Sequence, residues 1–306
     1  MSDPVPHVST THLRYLVEIT SARTWGEAAQ RLGVTQSALS QGIAELERRL
    51  GWPLFERVGR KRVLAADADV VVSWAQSVLA ETKDVVEVLT RRRSGTGGRL
   101  RIGLIDTAML HTFATAVELA QAQLGPALRV EVGTSTELAQ RVLAGDIDAA
   151  ITVGGSPAVL AAPGEISERP LANEPMIVWA SVDDPAMAPH SWVLPPFGST
   201  TRDIIDHALR TLPEPPGQDG STPQPRWADT QVVMESHNPA VLAHMAAAGF
   251  GWTVLPEGAA PTHGRLRRVL HAPLAMRPLV FLRRSAALPN ALVDSFERSC
   301  QDILAA

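Results

Sequence analysis

Thr35, Gln36, Ser37, Ser40 and Gln41 gather three hydroxyls and two amides on one short stretch, and Arg48 adds a cation further along the same helical pattern. Groups of this kind hydrogen-bond base edges and phosphate oxygens in a major groove, while any one of them alone reads equally well as ordinary polar surface. Downstream, Arg57, Arg60, Lys61 and Arg62 crowd around Gly59. A turn tip carrying that much positive charge suits a phosphate or an AT-rich minor groove. The chemistry on offer is recognition of double-stranded DNA.

The elements that would position these groups are written beside them. In Thr24-Trp25-Gly26-Glu27 a threonine N-cap and a glutamate three residues later form a capping-box pattern. Ala28, Ala29 and Leu32 then give a small apolar face, and Gly33 supplies a tight turn. Thr35 is a second N-cap, followed by Leu39, Ile43, Leu46 and Leu50 at spacings of four, three and four, the stripe of a helix packed on a core. The polar set above then faces outward. Two short helices, a tight turn and a basic hairpin spell a winged helix-turn-helix.

The chain resembles the LysR-type transcriptional regulators. The residues that carry the likeness are Ala28-Ala29, Leu32, Gln36 through Ser40, Ile43, Leu46-Glu47, Leu50-Gly51, Leu54-Phe55, Arg57, Arg60 and Leu64. The resemblance implies that Gln36, Ser37, Ser40 and Gln41 contact the major groove and Arg60 the minor groove. Two positions depart from the family pattern. The wing runs into Ala65-Ala66-Asp67 rather than a threonine and an Ala-Gly pair, and Gln41 stands where many members carry arginine.

With 306 residues, 45% of them hydrophobic, the chain can fill more than one core. Charge divides unevenly. Residues 1–98 hold 13 Lys+Arg against 11 Asp+Glu, and residues 99–306 hold 15 against 21. A slightly basic head thus joins an acidic body, and local hairpin charge outweighs the overall −4 because screening limits the reach of distant charges to roughly 8 Å. No apolar run is long enough for a membrane span and the amino terminus lacks a signal-peptide layout, so a cytoplasmic location without membrane contact is expected. Cys300 is the single cysteine and reads as a small buried hydrophobe on the last helix. Neither a metal site nor a cofactor is expected. Without a Gly-x-Ser-x-Gly elbow, a His-Glu-x-x-His or a Gly-x-x-x-x-Gly-Lys, and with His111, His207, His237 and His244 scattered, the chain does not read as an enzyme.

From Asp67 to Arg93 there is no glycine or proline, and Val71, Ala75, Val78, Thr82, Val85 and Leu89 recur at spacings of four and three. That is a coiled-coil seam on a helix about 40 Å long, expected to pair two heads rather than to pack wholly on its own chain. Residues 94–98 form a hinge. Beyond it, strands at 100–105, 128–133, 149–153, 176–181, 251–255 and 279–283 alternate with helices at 107–123, 136–144, 202–210, 239–248 and 290–304, an α/β pattern with mostly parallel strands. The expected organisation is a head over 1–66, a linker helix and hinge over 67–98, and an effector region over 99–306. By resemblance that last region is two-lobed and periplasmic-binding-protein-like, with lobe I approximately 99–165 and 272–306 and lobe II approximately 166–271. The proline- and glycine-rich segment 213–225 reads as an inserted loop.

In such a region a small-molecule effector binds between the lobes, where helix N-termini favour an anion. Thr107, Ser135 and Ser199 are the effector contacts that the resemblance implies, with Phe197 as an apolar wall; Thr134 and Thr200 stand at the same helix starts and Ser236 before the helix at 239–248, and all read as well as N-caps. Asp106 at a strand end, if it faces the cleft, points to an effector that carries an amine or is neutral, and the expected effector is a small carboxylate or an amino acid. The reading as a whole is a regulator that binds an interrupted palindromic operator as a homodimer or homotetramer, gated by its effector, with access of RNA polymerase as the output. The alternative is an effector-independent architectural repressor whose lobes serve only oligomerisation.

Overall fold

The computed structural model describes residues 7–59, 61–94, 98–185, 189–212, 227–259 and 264–305. Arg60, most of the hinge, the segment 213–225 and the side chains of Arg91, Arg92 and Arg93 lie outside the described residues. The chain forms two compact units whose boundary falls at Gly97 and Gly98.

The first unit opens with α1 (Thr10–Ser21), which the sequence reading did not assign. Its N-cap Ser9 accepts from the Thr11 amide, and Leu13, Leu16 and Ile19 are buried on one face. Next come α2 (Trp25–Leu32) and α3 (Gln36–Leu50), each opened by the expected threonine: Thr24 accepts from the Glu27 amide and Thr35 from the Ala38 amide, both at 3.1 Å. The return bond of the capping box goes one residue further out, from the Arg23 amide to Glu27. Gly33 takes φ +68 between the helices, a conformation that costs glycine nothing. The wing is β1 (Phe55–Val58) paired antiparallel with β2 (Lys61–Leu64). Glu47 fixes its start by accepting from the amides of Leu54 and Phe55.

The 27-residue α4 (Ala68–Ser94) departs from the expected seam in its first half. Val71, Ala75 and Val78 are turned onto the head's own core, with Ala75 fully buried. The apolar side chains left exposed are Val70, Trp74, Val85, Val86 and Leu89. The four-three spacing misled because a short three-helix head needs an apolar stripe for itself, and the first half of α4 supplies it.

The second unit alternates as expected at first: β3 (Leu100–Leu104), α5 (Ala114–Leu124), β4 (Leu128–Val132), α6 (Ser135–Leu143), β5 (Ala149–Val153) and the single turn α7 (Pro157–Leu160). The helix expected over 107–123 is broken, since Ala108–Thr112 is π-helical and α5 begins only at Ala114. β6 (Ile166–Ser181) is followed by β7 (Trp192–Leu194), α8 (Thr200–Thr211), β8 (Val232–Glu235), α9 (Pro239–Ala247), β9 (Thr253–Pro256), β10 (Leu266–Arg268), β11 (Ala275–Arg284) and α10 (Ala291–Ala305).

The main sheet has seven strands in the order β10-β6-β11-β5-β3-β4, with β9 also on β6. Only the β3 pairings with β4 and β5 are parallel there; β6, β9, β10 and β11 pair antiparallel, which overturns the expectation of a mostly parallel region. The reason is that β6 and β11 are long strands serving both lobes and must run against each other to return the chain. Lobe I is built on β3, β4 and β5. Lobe II surrounds three indoles in edge-to-face and tilted contact, Trp192, Trp227 and Trp252, with the Trp252 Nε1 donating to Asp184 at 2.7 Å.

Gly42 lets α1 and α3 approach closely, since a Cβ there would meet the Tyr15 ring at 2.6 Å. Gly42→Ala is expected to lower head stability by about 1–3 kcal/mol, the range for overpacking, as read from denaturant unfolding. An unchanged unfolding midpoint would show that Tyr15 can simply move aside.

Candidate functional site

The outward face of α3 presents Gln36, Ser37, Gln41, Ala44 and Arg48 to solvent, with Thr35 exposed at its N-cap. Ser40 and Arg62, both expected contacts, are bonded to each other. Arg62 stacks over the Trp25 ring, 4.8 Å from its centroid, and its Nη1 donates to Ser40 Oγ at 3.2 Å. Arg62 thereby ties wing, α2 and α3 together and orients the face. Arg57 and Lys61 are exposed on the two wing strands.

Arg48 is held by Glu45, which also takes Arg49; the two carboxylate oxygens accept from Arg48 at 2.6 and 2.8 Å and one of them from Arg49 at 2.5 Å. Hydrogen bonds from Arg48 and then Arg49 hold the Glu45 carboxyl down to about 2. A depressed carboxyl keeps its charge above its ordinary range and loses it only as pH falls toward 2, so Glu45 stays anionic wherever DNA is bound. Sequence reading passed over this residue, although its spacing of three and four to two arginines was visible.

In the second unit a cavity of about 490 Å³ is walled by both lobes. Asp106, Thr107, Thr134, Ser135, Phe197, Ser199 and Thr200 all line it; Ser236 lies outside the lining and accepts from the Asn238 amide. Thr134 is engaged as a cap. Its amide and hydroxyl both donate to Glu137, whose carboxyl is lowered by those bonds, the backbone one foremost, and by nearby His237. Glu137 thus already supplies an anion at the N-terminus of α6. Ser135 Oγ accepts from the Val153 amide at 3.1 Å, and Ser199 caps α8 by accepting from the Arg202 amide.

The other helix end differs. Thr200 lines the cavity, and its buried Oγ1 has no partner. The loop before it is braced by Arg202, which donates to Pro195 O and Glu235, while Glu235 also accepts from the Phe197 amide. The Phe197 ring stays 80% exposed at the rim. Sequence reading missed Arg277, which lines the floor from β11 and donates to Thr107 Oγ1 at 2.8 Å. An arginine before a proline carried no signal of a cleft. The cavity lining therefore combines the carboxylates of Asp106 and Glu137 with the Arg277 guanidinium and Thr200.

Two family models match the chain: the bacterial regulatory helix-turn-helix protein of the lysR family over residues 10–68, and the LysR substrate binding domain over 93–305. The chain belongs to the LysR family. It is a DNA-binding transcriptional regulator with an effector-binding domain. The regulator BbuR of Bordetella bronchiseptica is 26% identical, covering 83% of this chain and 77% of its own. Among solved structures, a full-length OxyR variant from Pseudomonas aeruginosa aligns with TM-score 0.62 at 23% identity, covering 96% of this chain and 98% of the other. Full-length LysG from Corynebacterium glutamicum, solved with the effector arginine bound, aligns with TM-score 0.57 at 18% identity, covering 96% and 98%. These likenesses carry the fold.

Cys300 of this regulator is fully buried on α10, and burial, with Glu297 nearby, pushes its thiol up to about 12. A thiol held protonated is a poor nucleophile, in keeping with a packing role. Among the described residues no helix is long and apolar enough to cross a membrane, and no cluster of three metal-ligating side chains occurs.

Replacing Glu45 frees Arg48 beside the outward face and leaves Arg49 only its bond to His7 O. Glu45→Gln is expected to tighten binding to random-sequence duplex and to steepen log K against log salt by about one unit per arginine that reaches a phosphate. Titrations at several salt concentrations read both effects, and an unchanged slope would place Arg48 and Arg49 away from the duplex.

Proposed function

We propose that this regulator reads an interrupted palindromic operator as a homodimer or homotetramer in the cytoplasm, and that a small carboxylate or amino acid bound between its lobes alters access of RNA polymerase. The proposed division of labour is a head over 1–66, a pairing helix and hinge over 67–98 and the effector region beyond. The observation that supports pairing is the exposed apolar set Val85, Val86 and Leu89 on the second half of α4. Exposed apolar rows of this kind on a long helix mark a partner surface. A second copy of the chain places two heads on one duplex, as a palindrome requires.

The proposed major-groove contacts are Thr35, Gln36, Ser37, Ser40 and Gln41. Arg48, Arg57, Arg60 and Lys61 would supply phosphate or minor-groove contacts, with Arg62 orienting the wing from its place on Trp25. For the effector, the unpartnered Thr200 hydroxyl at the start of α8 supports a carboxylate there, since Glu137 already serves the α6 end. Asp106 in the same lining supports an ammonium, which favours an amino acid within the class. Thr107, Ser135, Phe197 and Ser199 complete the proposed wall.

Footprinting on the DNA upstream of its own gene, with and without pooled carboxylates and amino acids, tests the whole reading. A protected interrupted palindrome whose outer half shifts with one pool is the expected result; protection insensitive to every pool would favour the architectural repressor. Arg60→Ala is expected to weaken operator binding and flatten the salt slope by about one unit, and Ser40→Ala to shift base preference with little change in slope. Val85→Asp with Leu89→Asp is expected to yield monomers by sedimentation, with operator affinity reduced to that of a single head.

A further inference from the structure

Arg277 and Glu174 face each other as register partners on β11 and β6, and both are at least nine-tenths buried. Arg277 Nε donates to Glu174 Oε2 at 3.1 Å and Nη2 donates to the same oxygen, while Glu174 Oε1 accepts from Thr112 at 2.9 Å. Thr112 is the last residue of the π-helical segment, so that wide turn is what brings its hydroxyl to the carboxylate. Arg277 also reaches both lobes: Nη2 donates to Thr107 Oγ1 at 2.8 Å, and Nη1 donates to Thr201 Oγ1 at 3.4 Å. A guanidinium has five N–H groups. The four bonds named leave one on Nη1, beside the start of α8, where the Thr200 hydroxyl also lacks a partner.

We infer that the Arg277–Glu174 pair reads the ligand's charge: Glu174 is a resident counter-anion for Arg277, and a ligand carboxylate seated against Thr200 engages Nη1 and draws the guanidinium partly away from Glu174. This rests on the reading of the cavity as a carboxylate-binding effector site. Its consequence is a link between ligand and lobes, because the group that meets the carboxylate also holds Thr107 of lobe I and Thr201 of lobe II. A neutral ligand has no such pull on Arg277. Glu174 further sets the threshold, since its competition keeps the site from filling with any stray anion.

The test uses the full chain and acetate as probe, with acetamide as its neutral partner, at constant ionic strength, followed by thermal unfolding and by the fluorescence of the lobe II tryptophans. Glu174→Gln removes the competitor and is expected to lower the half-saturating acetate concentration about tenfold, the equivalent of one charge-assisted hydrogen bond. Because that variant leaves a buried guanidinium without its counter-ion, the double variant Glu174→Gln with Arg277→Met serves beside it; with no buried charge it is expected to fold and to ignore acetate. Acetamide is expected to act alike on every protein. Equal acetate responses in wild type and Glu174→Gln, or a response that survives in the double variant, overturn the inference. If that surviving response vanishes in Thr200→Val, the carboxylate site stands and only the role of Arg277 falls. No acetate response in any of the proteins overturns both.

Discussion

The pairing of β6 with β11 is the constraint on which the effector region depends. Ten register partners, from Ala275 opposite Met176 to Arg284 opposite Ile166, run through it without leaving the sheet. On one side β11 pairs with β5 of lobe I, and on the other β6 pairs with β9 and β10 of lobe II. Each lobe thus grows from the same two-stranded ribbon, and the cavity sits where the ribbon passes from one to the other. A single irregularity in register, between Leu279 and Val280, falls along this passage. Antiparallel ladders bend and twist at such points without losing their hydrogen bonds elsewhere.

The head illustrates how local signals become a reading surface. Two threonine caps and one left-handed glycine set the angle between α2 and α3, and Leu39, Ile43 and Leu46 bury one side of α3 so completely that its other side must face out. The wing is then locked from two directions, by Glu47 at its first amides and by Arg62 on Trp25. A charged residue placed over an aromatic ring keeps its charge near the DNA face while its geometry serves the fold.

What was legible in the sequence was what short segments specify for themselves. The caps of α2 and α3, the wing, the length of α4 and the strands β3, β4 and β5 announce themselves within a dozen residues. The first ten residues of β6 and the first four of β11 did not, because Pro170, Pro175 and Pro278 with several charged neighbours read as loop; only the pairing of the two strands makes them extended. Arg277 and Glu174 stand 103 positions apart, and no local pattern marks either. The π-helical turn was hidden for a related reason: its hydrogen bonding differs from an α-helix by one residue, and what holds it is a carboxylate from β6. For α4 the period was right, but its first half packs on the head rather than on a partner, since spacing tells that an apolar stripe exists and not which surface covers it.

That last feature has a mechanical side. The first half of α4 belongs to the head's core through Val71, Ala75 and Val78, with no glycine or proline before the second half begins. A head so mounted has no swivel: it turns when the helix turns. Where two such helices lie side by side, a few degrees of splay or rotation between them becomes a displacement at the wing tips, magnified by the length of the rod. In the proposed pair the helix would be a crank as much as a clasp, and the torsional stiffness of its middle turns would set how faithfully a movement at one end is delivered to the other.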